Sequence, residues 1–428
     1  MKTKHLLLSV SFLLTVNFLL PTFSFAQGAW TQKANFPGTR YCAASFSIGT
    51  KGYIGIGYSG VTTATTVFRD FWEWDQATNV WTKKANYPGA SGGIVANFSI
   101  GTKGYIATGQ RNTGLDDGFT NELWEYDPAL DNWTQKASLP STPYPPRAWA
   151  VGFSIGTKGY VGTGSIDNDG TSSDHVYQDF WEWDQATNVW TQKADFAGGP
   201  RSYAVGFAIG NKGYIGTGEY IYGSGSNKIT VDKKDFWEWD QATNVWTKKA
   251  DFGGTARGYA KGFSIGTKGY IAMGMDASYS AFNDLWEWDQ NTNIWVQKAN
   301  FGGTVHTQAV GFSIGNKGYI GTGINGTTCF QDFWEYGPSG TTGIAEVTKE
   351  NFSVYPNPAN DVLTLNFDNI NNAGLTLNIY NTTGELVRSE TLRQNQQQIN
   401  IGEISNGMYM VEIKSKGWSE KHKLIIQR

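Results

Sequence analysis

Trp181-Glu182-Trp183-Asp184-Gln185-Ala186-Thr187-Asn188-Val189-Trp190 is the stretch on which the fold turns. Aromatic and acidic residues alternate through Trp181–Trp183, turn formers follow, and a second run opens at Trp190, which is the pattern of a β-hairpin. The pattern recurs. A Trp-Glu-aromatic triplet stands at Trp72, Trp124, Trp181, Trp237, Trp286 and Trp334, with a period of 48 to 57 residues. A Gly-Tyr pair precedes each triplet, with tyrosines at Tyr53, Tyr105, Tyr160, Tyr214, Tyr270 and Tyr319.

Each unit reads as four strands: one ending in Phe-x-Ile-Gly, one opening with Gly-Tyr, one carrying the Trp-Glu triplet and one opening with the next Trp. Four strands per repeat, with Gly and aromatics at fixed offsets, predict propeller blades. The sixth unit stops at Glu335-Tyr336-Gly337 and lacks its fourth strand, whereas Trp30-Thr31-Gln32-Lys33-Ala34 precedes the first complete unit. The expected fold is therefore all-β: a six-bladed propeller closed by the N-terminal strand, which pairs beside Phe333–Tyr336 and so covers an open sheet edge. A small Ig-like β-sandwich is expected to follow it.

The third and fourth strands carry a family resemblance. Trp181 to Trp190, and still more Trp124-Glu125-Tyr126-Asp127-Pro128, resemble the Kelch repeat, with its aromatic, Asp, Thr-Asn and Trp. The departure lies in the second strand, which ends Ile56-Gly57, Thr217-Gly218 or Met273-Gly274 where Kelch repeats have two adjacent glycines. The resemblance implies a divergent Kelch-type propeller over residues 27–337.

Spacing separates scaffold from working surface. Phe to Tyr across the first hairpin is 7 residues in all six units, and Trp to Trp across the second is 9 in the five complete ones. The first hairpin's Gly-Thr/Asn-Lys-Gly is read as a type I turn with the last Gly left-handed. Between the second and third strands the loops run to 13, 13, 15, 17, 10 and 9 residues. Length freedom on one face of a rigid scaffold marks the face expected to bind.

The ends of the chain differ from its middle. Lys2 and Lys4, an apolar run from Leu6 to Leu20, and Ser24-Phe25-Ala26 read as a secretory leader over residues 1–26. The run is short for a bilayer span of about 20 residues, so no transmembrane segment is expected in the mature chain. Only one of the 18 tryptophans, Trp418, lies beyond residue 340. Residues 338–351 read as a Gly/Ser/Thr-rich linker. Alternating runs follow at Val362–Phe367, Leu375–Tyr380, Met408–Ile413 and Lys423–Ile426. Tyr355-Pro356-Asn357-Pro358 with Leu363, Asn378 to Gly384, Gly407-Met408-Tyr409 and the terminal Lys423-Leu424-Ile425-Ile426 resemble the type A C-terminal sorting domain of the type IX secretion system. That resemblance, over residues 352–428, implies export through the periplasm to the outer surface or the medium, with the secretion machinery as a partner.

Composition excludes several classes. Aromatics make 15% of the chain and charged residues 17%, so it is no disordered polyelectrolyte. The net charge is −3, which leaves nothing to hold a phosphate backbone, so no nucleic-acid partner is expected. Four histidines show no metal-ligand spacing. Asp167-Asn168-Asp169-Gly170 is either a solvated turn or a weak calcium loop. No other cofactor is expected.

Repeated residues are discounted as catalysts. Glu73, Glu125, Glu182, Glu238, Glu287 and Glu335 occupy equivalent positions and read as blade-to-blade hydrogen-bonding groups. Six residues before each first-strand Phe stand Arg40, Gly92, Arg147, Arg201, Arg257 and His306. These are either structural pins or a ring that grips an anionic ligand through bidentate forks. Two positions on stand Cys42, Ile94, Trp149, Tyr203, Tyr259 and Gln308. Trp149, Tyr203 and Tyr259 either fill the channel or offer a face to a sugar ring. Cys42 and Cys329 fall in blades that adjoin when the ring closes, and in an exported chain a disulfide between them is expected; the alternative is two small buried residues. The reading is a monomeric binding module for a glycan or protein ligand on the variable face. Its rivals are a mutarotase- or epimerase-like enzyme using His306 and Glu219 at the channel mouth, or a structural surface protein.

Overall fold

Alternation along each strand buries one side chain in two against the neighbouring sheet, and six copies of that pattern build six four-stranded antiparallel sheets. The computed structural model of the chain describes residues 28–428 apart from 61–64, 112–117, 167–175, 224–226, 228, 339–351, 368–374, 383, 393–395 and 416–417. The proposed leader, most of the proposed linker and the Asp167/Asp169 turn therefore lie outside the described residues. The chain divides into two units, 1–340 and 341–428.

Blade one runs outward through Ala44–Ile48, Lys51–Gly55, Phe71–Asp75 and Val80–Lys84. The innermost strands of the others are Ala96–Ile100, Val151–Ile155, Val205–Ile209, Lys261–Ile265 and Val310–Ile314. These six contact one another in order, and Val310–Ile314 returns to Ala44–Ile48. The sixth blade takes its outer strand from the start of the chain: Ala29–Gln32 pairs with Thr328–Gly337 in the register Ala29↔Gly337, Trp30↔Tyr336, Thr31↔Glu335 and Gln32↔Trp334.

No described strand of one propeller blade pairs with a strand of the next, so the blades need other links. Three sets of repeated residues supply them. Each outer-strand Trp donates its indole N–H to an Ala carbonyl of the preceding blade, at 2.7–3.1 Å in all six cases: Trp30 to Ala299, Trp81 to Ala34, Trp133 to Ala85, Trp190 to Ala137, Trp246 to Ala194 and Trp295 to Ala250. The buried tyrosines Tyr53, Tyr105, Tyr160, Tyr214, Tyr270 and Tyr319 each donate to the Glu of their own blade, and Gln76, Gln185, Gln241 and Gln290 reach four of them from a neighbouring blade. The six glutamates are thus bound into the scaffold.

The third link explains a glycine and corrects a turn. The left-handed residue of the first hairpin is the first Gly of the motif, Gly49 (φ 58°) in blade one, not the last. Ile48 pairs with Lys51, leaving a two-residue Gly-Thr loop with positive φ at its first position, as a type II′ hairpin requires. The last Gly, Gly52, lies in the second strand under a phenylalanine of the adjacent blade: a Cβ there would stand 2.5 Å from the Phe312 ring. Gly104 under Phe46, Gly159 under Phe98, Gly213 under Phe153, Gly269 under Phe207 and Gly318 under Phe263 repeat the contact round the ring.

The Asp opening each second turn has a local role. Asp75 accepts from the Lys51 ammonium and from the backbone N–H groups of Ala77 and Thr78. The lysine bond first, then the turn N–H groups, hold its carboxyl at about 2. Asp127, Asp184, Asp240 and Asp289 are lowered with a Lys bond as the leading cause. A depressed carboxylate pKa stabilises the fold fully above the unfolded value of about 3.9, and the contribution is lost as pH falls through the folded value. Acid titration followed by near-UV circular dichroism should therefore show stability falling between pH 4 and pH 2. Asp184→Asn should flatten that slope.

The C-terminal unit is a two-sheet sandwich of seven strands. Phe352–Tyr355, Val362–Phe367 and Gln396–Asn400 form one sheet; Leu386–Leu392, Leu375–Tyr380, Gly407–Ser415 and Trp418–Ile426 form the other. Leu363, Leu365, Leu377, Ile379, Ile399, Val411, Ile413 and Leu424 are fully buried between them. Asn357 of the Tyr-Pro-Asn-Pro motif ties down the last strand: its Nδ2 donates to the Lys423 carbonyl at 2.8 Å and its Oδ1 accepts from the Ile425 N–H at 2.9 Å. The two ends of the motif set are thus one structural device.

Candidate functional site

The arginines come first, because the structure places them as the structural pins of the two alternatives. Arg40, Arg147, Arg201 and Arg257 are buried to 1% exposure or less and none faces an open channel. Each is forked onto an Asp of its own blade: Arg40 on Asp70, Arg147 on Asp179, Arg201 on Asp235 and Arg257 on Asp284. Each also donates to the carbonyl ending its second strand, those of Ile56, Thr163, Thr217 and Met273, at 2.9–3.1 Å. Aromatic rings cover the planes, with Phe36 at 4.3 Å and Phe68 at 4.5 Å from Arg40, and Phe282 at 4.0 Å from Arg257. Burial pushes the Asp70 and Asp235 carboxyls upward, but the arginine bonds and charges outweigh it and hold both below the usual range. These four side chains are pins for the variable loops, with both terminal nitrogens spent on the protein itself. In blade two, which has Gly92 here, Ser91 Oγ donates to the Thr108 carbonyl in the arginine's place.

The enzymatic reading of His306 is corrected. It is fully buried, stacked on Phe330 at 4.9 Å and edge-on to Phe301, and it does not line the central cavity. Burial lowers its pKa, against the opposing charge of Asp332. Glu219, its partner in the enzymatic reading, also stays out of the lining, lying over Gly258. The expected disulfide is absent: both cysteines are free thiols. Cys42 Sγ donates to Gln308 Oε1 at 2.9 Å at the cavity, whereas Cys329 sits in a hairpin strand opposite Ile324. Burial pushes the Cys42 thiol up to about 12, so it is protonated at neutral pH.

Two residues beyond the pins, the chain turns left-handed in all six repeats: Cys42, Ile94, Trp149, Tyr203, Tyr259 and Gln308 have φ between 53° and 59°. The turn aims five of the six backbone N–H groups at the preceding repeat. Cys42 donates to the Gln308 carbonyl, Ile94 to Cys42, Trp149 to Ile94, Tyr203 to Trp149 and Tyr259 to Tyr203, at 3.0–3.4 Å. These bonds run round the inner rim on the face that carries the variable loops. The same face explains the departure from two glycines. In Thr217-Gly218 both residues have positive φ, 56° and 90°. The first lies in the left-handed well, open to a side chain at a cost of about 1–2 kcal/mol, while the second lies beyond it. A two-glycine geometry is kept with one glycine.

Below the rim is a cavity of ≈ 140 Å³ lined by those six residues and by the first residues of the innermost strands. Its two halves differ. Trp149, Tyr203 and Tyr259 stand side by side, with ring centroids 5.3 Å apart for the first pair and 3.9 Å for the second. Burial raises both tyrosine hydroxyls well above their ordinary range. Opposite lie Cys42, Ile94 and Gln308. On the floor, Asn97 clasps Ser45, accepting from its N–H at 3.2 Å and donating to its carbonyl at 2.7 Å. Among the lining residues that sequence reading missed, Lys261 is the charged one. The signal was present: the equivalent positions hold Ala44, Ala96, Val151, Val205 and Val310. The channel's other end, ≈ 310 Å³, is lined by serines and the interlocked phenylalanines. Among the described residues no group of His, Cys, Asp or Glu is placed to hold a metal, and no helix is long and apolar enough to cross a membrane.

Residues 353–427 match the family described as the secretion system C-terminal sorting domain. No curated protein matches the chain. Among solved structures, the one titled "Structure of YjhT", a Kelch-type propeller, superposes with a TM-score of 0.58 at 16% identity, covering 70% of this chain and 95% of that one. At that identity the likeness shows the fold alone. The sorting domain, joined to an all-β propeller unit, makes this chain an exported protein of the cell surface or the medium, handed to type IX secretion machinery by its C-terminal sandwich.

Proposed function

We propose that this exported propeller is a monomeric binding module, and that its ligand, a glycan or a protein segment, enters at the cavity mouth on the variable-loop face. The observation that supports this reading is the aromatic trio. Trp149, Tyr203 and Tyr259 come from three consecutive blades, occupy one half of the rim, and have no counterpart in the other three. Scaffold residues recur six times in this protein; these three break the repeat. Adjoining, mutually tilted rings beside polar groups suit a sugar or an aromatic side chain, with an apolar face and a polar rim. The loops around them end in exposed apolar side chains, Tyr222 and Ile229 on one hairpin and Tyr279, at 82% exposure, on the next blade.

The test is a glycan array and thermal-shift screen on the full chain with sialylated, sulfated and neutral sugars, against a Tyr203→Ala, Tyr259→Ala control. A hit weakened at least tenfold in the folded control is expected. A hit that survives both substitutions would move binding away from the mouth. No sugar hit, with capture of a protein partner lost in the same control, would select the protein alternative.

A further inference from the structure

We infer that the cavity beneath the rim is a site for a small organic monoanion, a carboxylate of about six heavy atoms, anchored by Lys261. The inference rests on the reading that ligands enter at this mouth, and it names what the enclosed part of the site takes.

The argument begins with a broken repeat. Lys261 opens an innermost strand where the other five blades place Ala or Val. Its stem lies along Gly311 of the next blade, whose added Cβ would stand 3.0 Å from Lys261 Cβ, so the side chain is laid inside the ring. There Lys261 lines the cavity. Among the described residues no carboxylate lines that cavity, and no hydrogen bond or ion pair holds the Lys261 ammonium. Burial works to discharge it, and the neighbouring Cys42 thiol, protonated at neutral pH, carries no charge to oppose that. The four buried arginines, by contrast, are each neutralised by an Asp of their own blade. An enclosed charge without a partner is costly, and in proteins such charges are normally paired. A bound anion is the pairing this cavity lacks.

The surroundings narrow the class. One ammonium balances one negative charge, so a phosphate or sulfate dianion would be left half compensated. The backbone N–H groups of Cys42, Ile94, Trp149, Tyr203 and Tyr259 are consumed by the rim bonds and build no anion nest. A second donor is at hand: Gln308 turns its Oε1 to Cys42, and its Nε2 has no protein partner among the described residues. The Tyr203, Tyr259 and Trp149 rings offer the remainder of the ligand an apolar wall. The space, ≈ 140 Å³, is close to the roughly 150 Å³ of a cavity that admits benzene, a molecule of six heavy atoms. That admits a two- to four-carbon acid.

The experiment compares sodium lactate with its neutral isostere lactamide, and with acetate and pyruvate, by tryptophan fluorescence and calorimetry on the full chain at constant ionic strength. Saturable binding of at least one carboxylate, with lactamide at least tenfold weaker than lactate, is expected. Lys261→Met should abolish the preference while the melting temperature holds or rises, because an unpaired enclosed charge has been removed. Lys261→Arg, which keeps the charge, should retain lactate binding within about tenfold. Equal responses to lactate and lactamide, or lactate binding unchanged in folded Lys261→Met, would overturn the assignment. A protein that ignores all three carboxylates yet gives a mouth-dependent hit on the array would overturn the anion site and leave the binding reading standing.

Discussion

Removing residues 27–36 should abolish cooperative unfolding of the propeller, or lower its melting temperature by more than about 10 °C. The segment joins blade six to blade one. Trp30 packs edge-on to Phe301 with centroids at 5.1 Å and donates to the Ala299 carbonyl, so it closes blade six and grips blade five. Ala34 accepts from the Trp81 indole and donates to Asn79, both in blade one. Phe36 is buried at 1% exposure against Trp81 and beneath Arg40. Burial of large apolar side chains contributes about 1.5–3 kcal/mol each, and hydrogen bonds about 1 kcal/mol each. Their sum approaches the 5–15 kcal/mol that separates folded from unfolded domains. The deletion also bares the Thr328–Gly337 strand as an open edge, so aggregation should accompany the loss. Differential scanning calorimetry decides the matter; an unchanged melting temperature would refute ring closure by this strand.

The second large effect concerns an arginine. Arg147→Met should destabilise the fold by about 3–5 kcal/mol, because Asp179 would be left as an uncompensated buried charge. Both partners of this pair have no exposed side-chain surface, unlike the other three pairs, whose aspartates are 16–20% exposed. Arg40→Met should therefore cost less, since water can reach Asp70. A second substitution, Asp179→Leu, should recover much of the loss in the Arg147→Met background. Urea denaturation of the four proteins measures each term. A ligand-gripping arginine would give the opposite pattern, with stability unchanged and binding lost.

Much of the fold could be read from the repeats because the same residues were forced to recur. The Trp-Glu triplets, the constant hairpin lengths and the orphan strand at Trp30 are local patterns, and local patterns survive in sequence. What escaped was tertiary. Why Gly52, which is not left-handed, is a glycine depends on Phe312, a residue 260 positions away. The choice between structural pins and an anion-gripping ring stayed open for the arginines because their aspartates, Asp70 or Asp179, lie across a variable loop and only folding brings them back. The pattern held a clue: blade two, which lacks the arginine, also carries Glu122 where the others carry Asp. Cys42 and Cys329 were placed in the correct neighbouring blades, yet adjacency of blades does not align two side chains. Lys261 carries no motif of its own, and only its place on an innermost strand, where the other blades have Ala or Val, sets it apart.

The left-handed rim has a consequence for how such a protein changes over time. Its six positions are held by main-chain bonds, so identity at each is decoupled from folding: cysteine, isoleucine, tryptophan, tyrosine and glutamine all occupy the same conformation. Recognition can drift by single substitutions there, with no loop rebuilt and no strand disturbed. The mouth behaves as a six-letter word that can be respelled while the page stays intact.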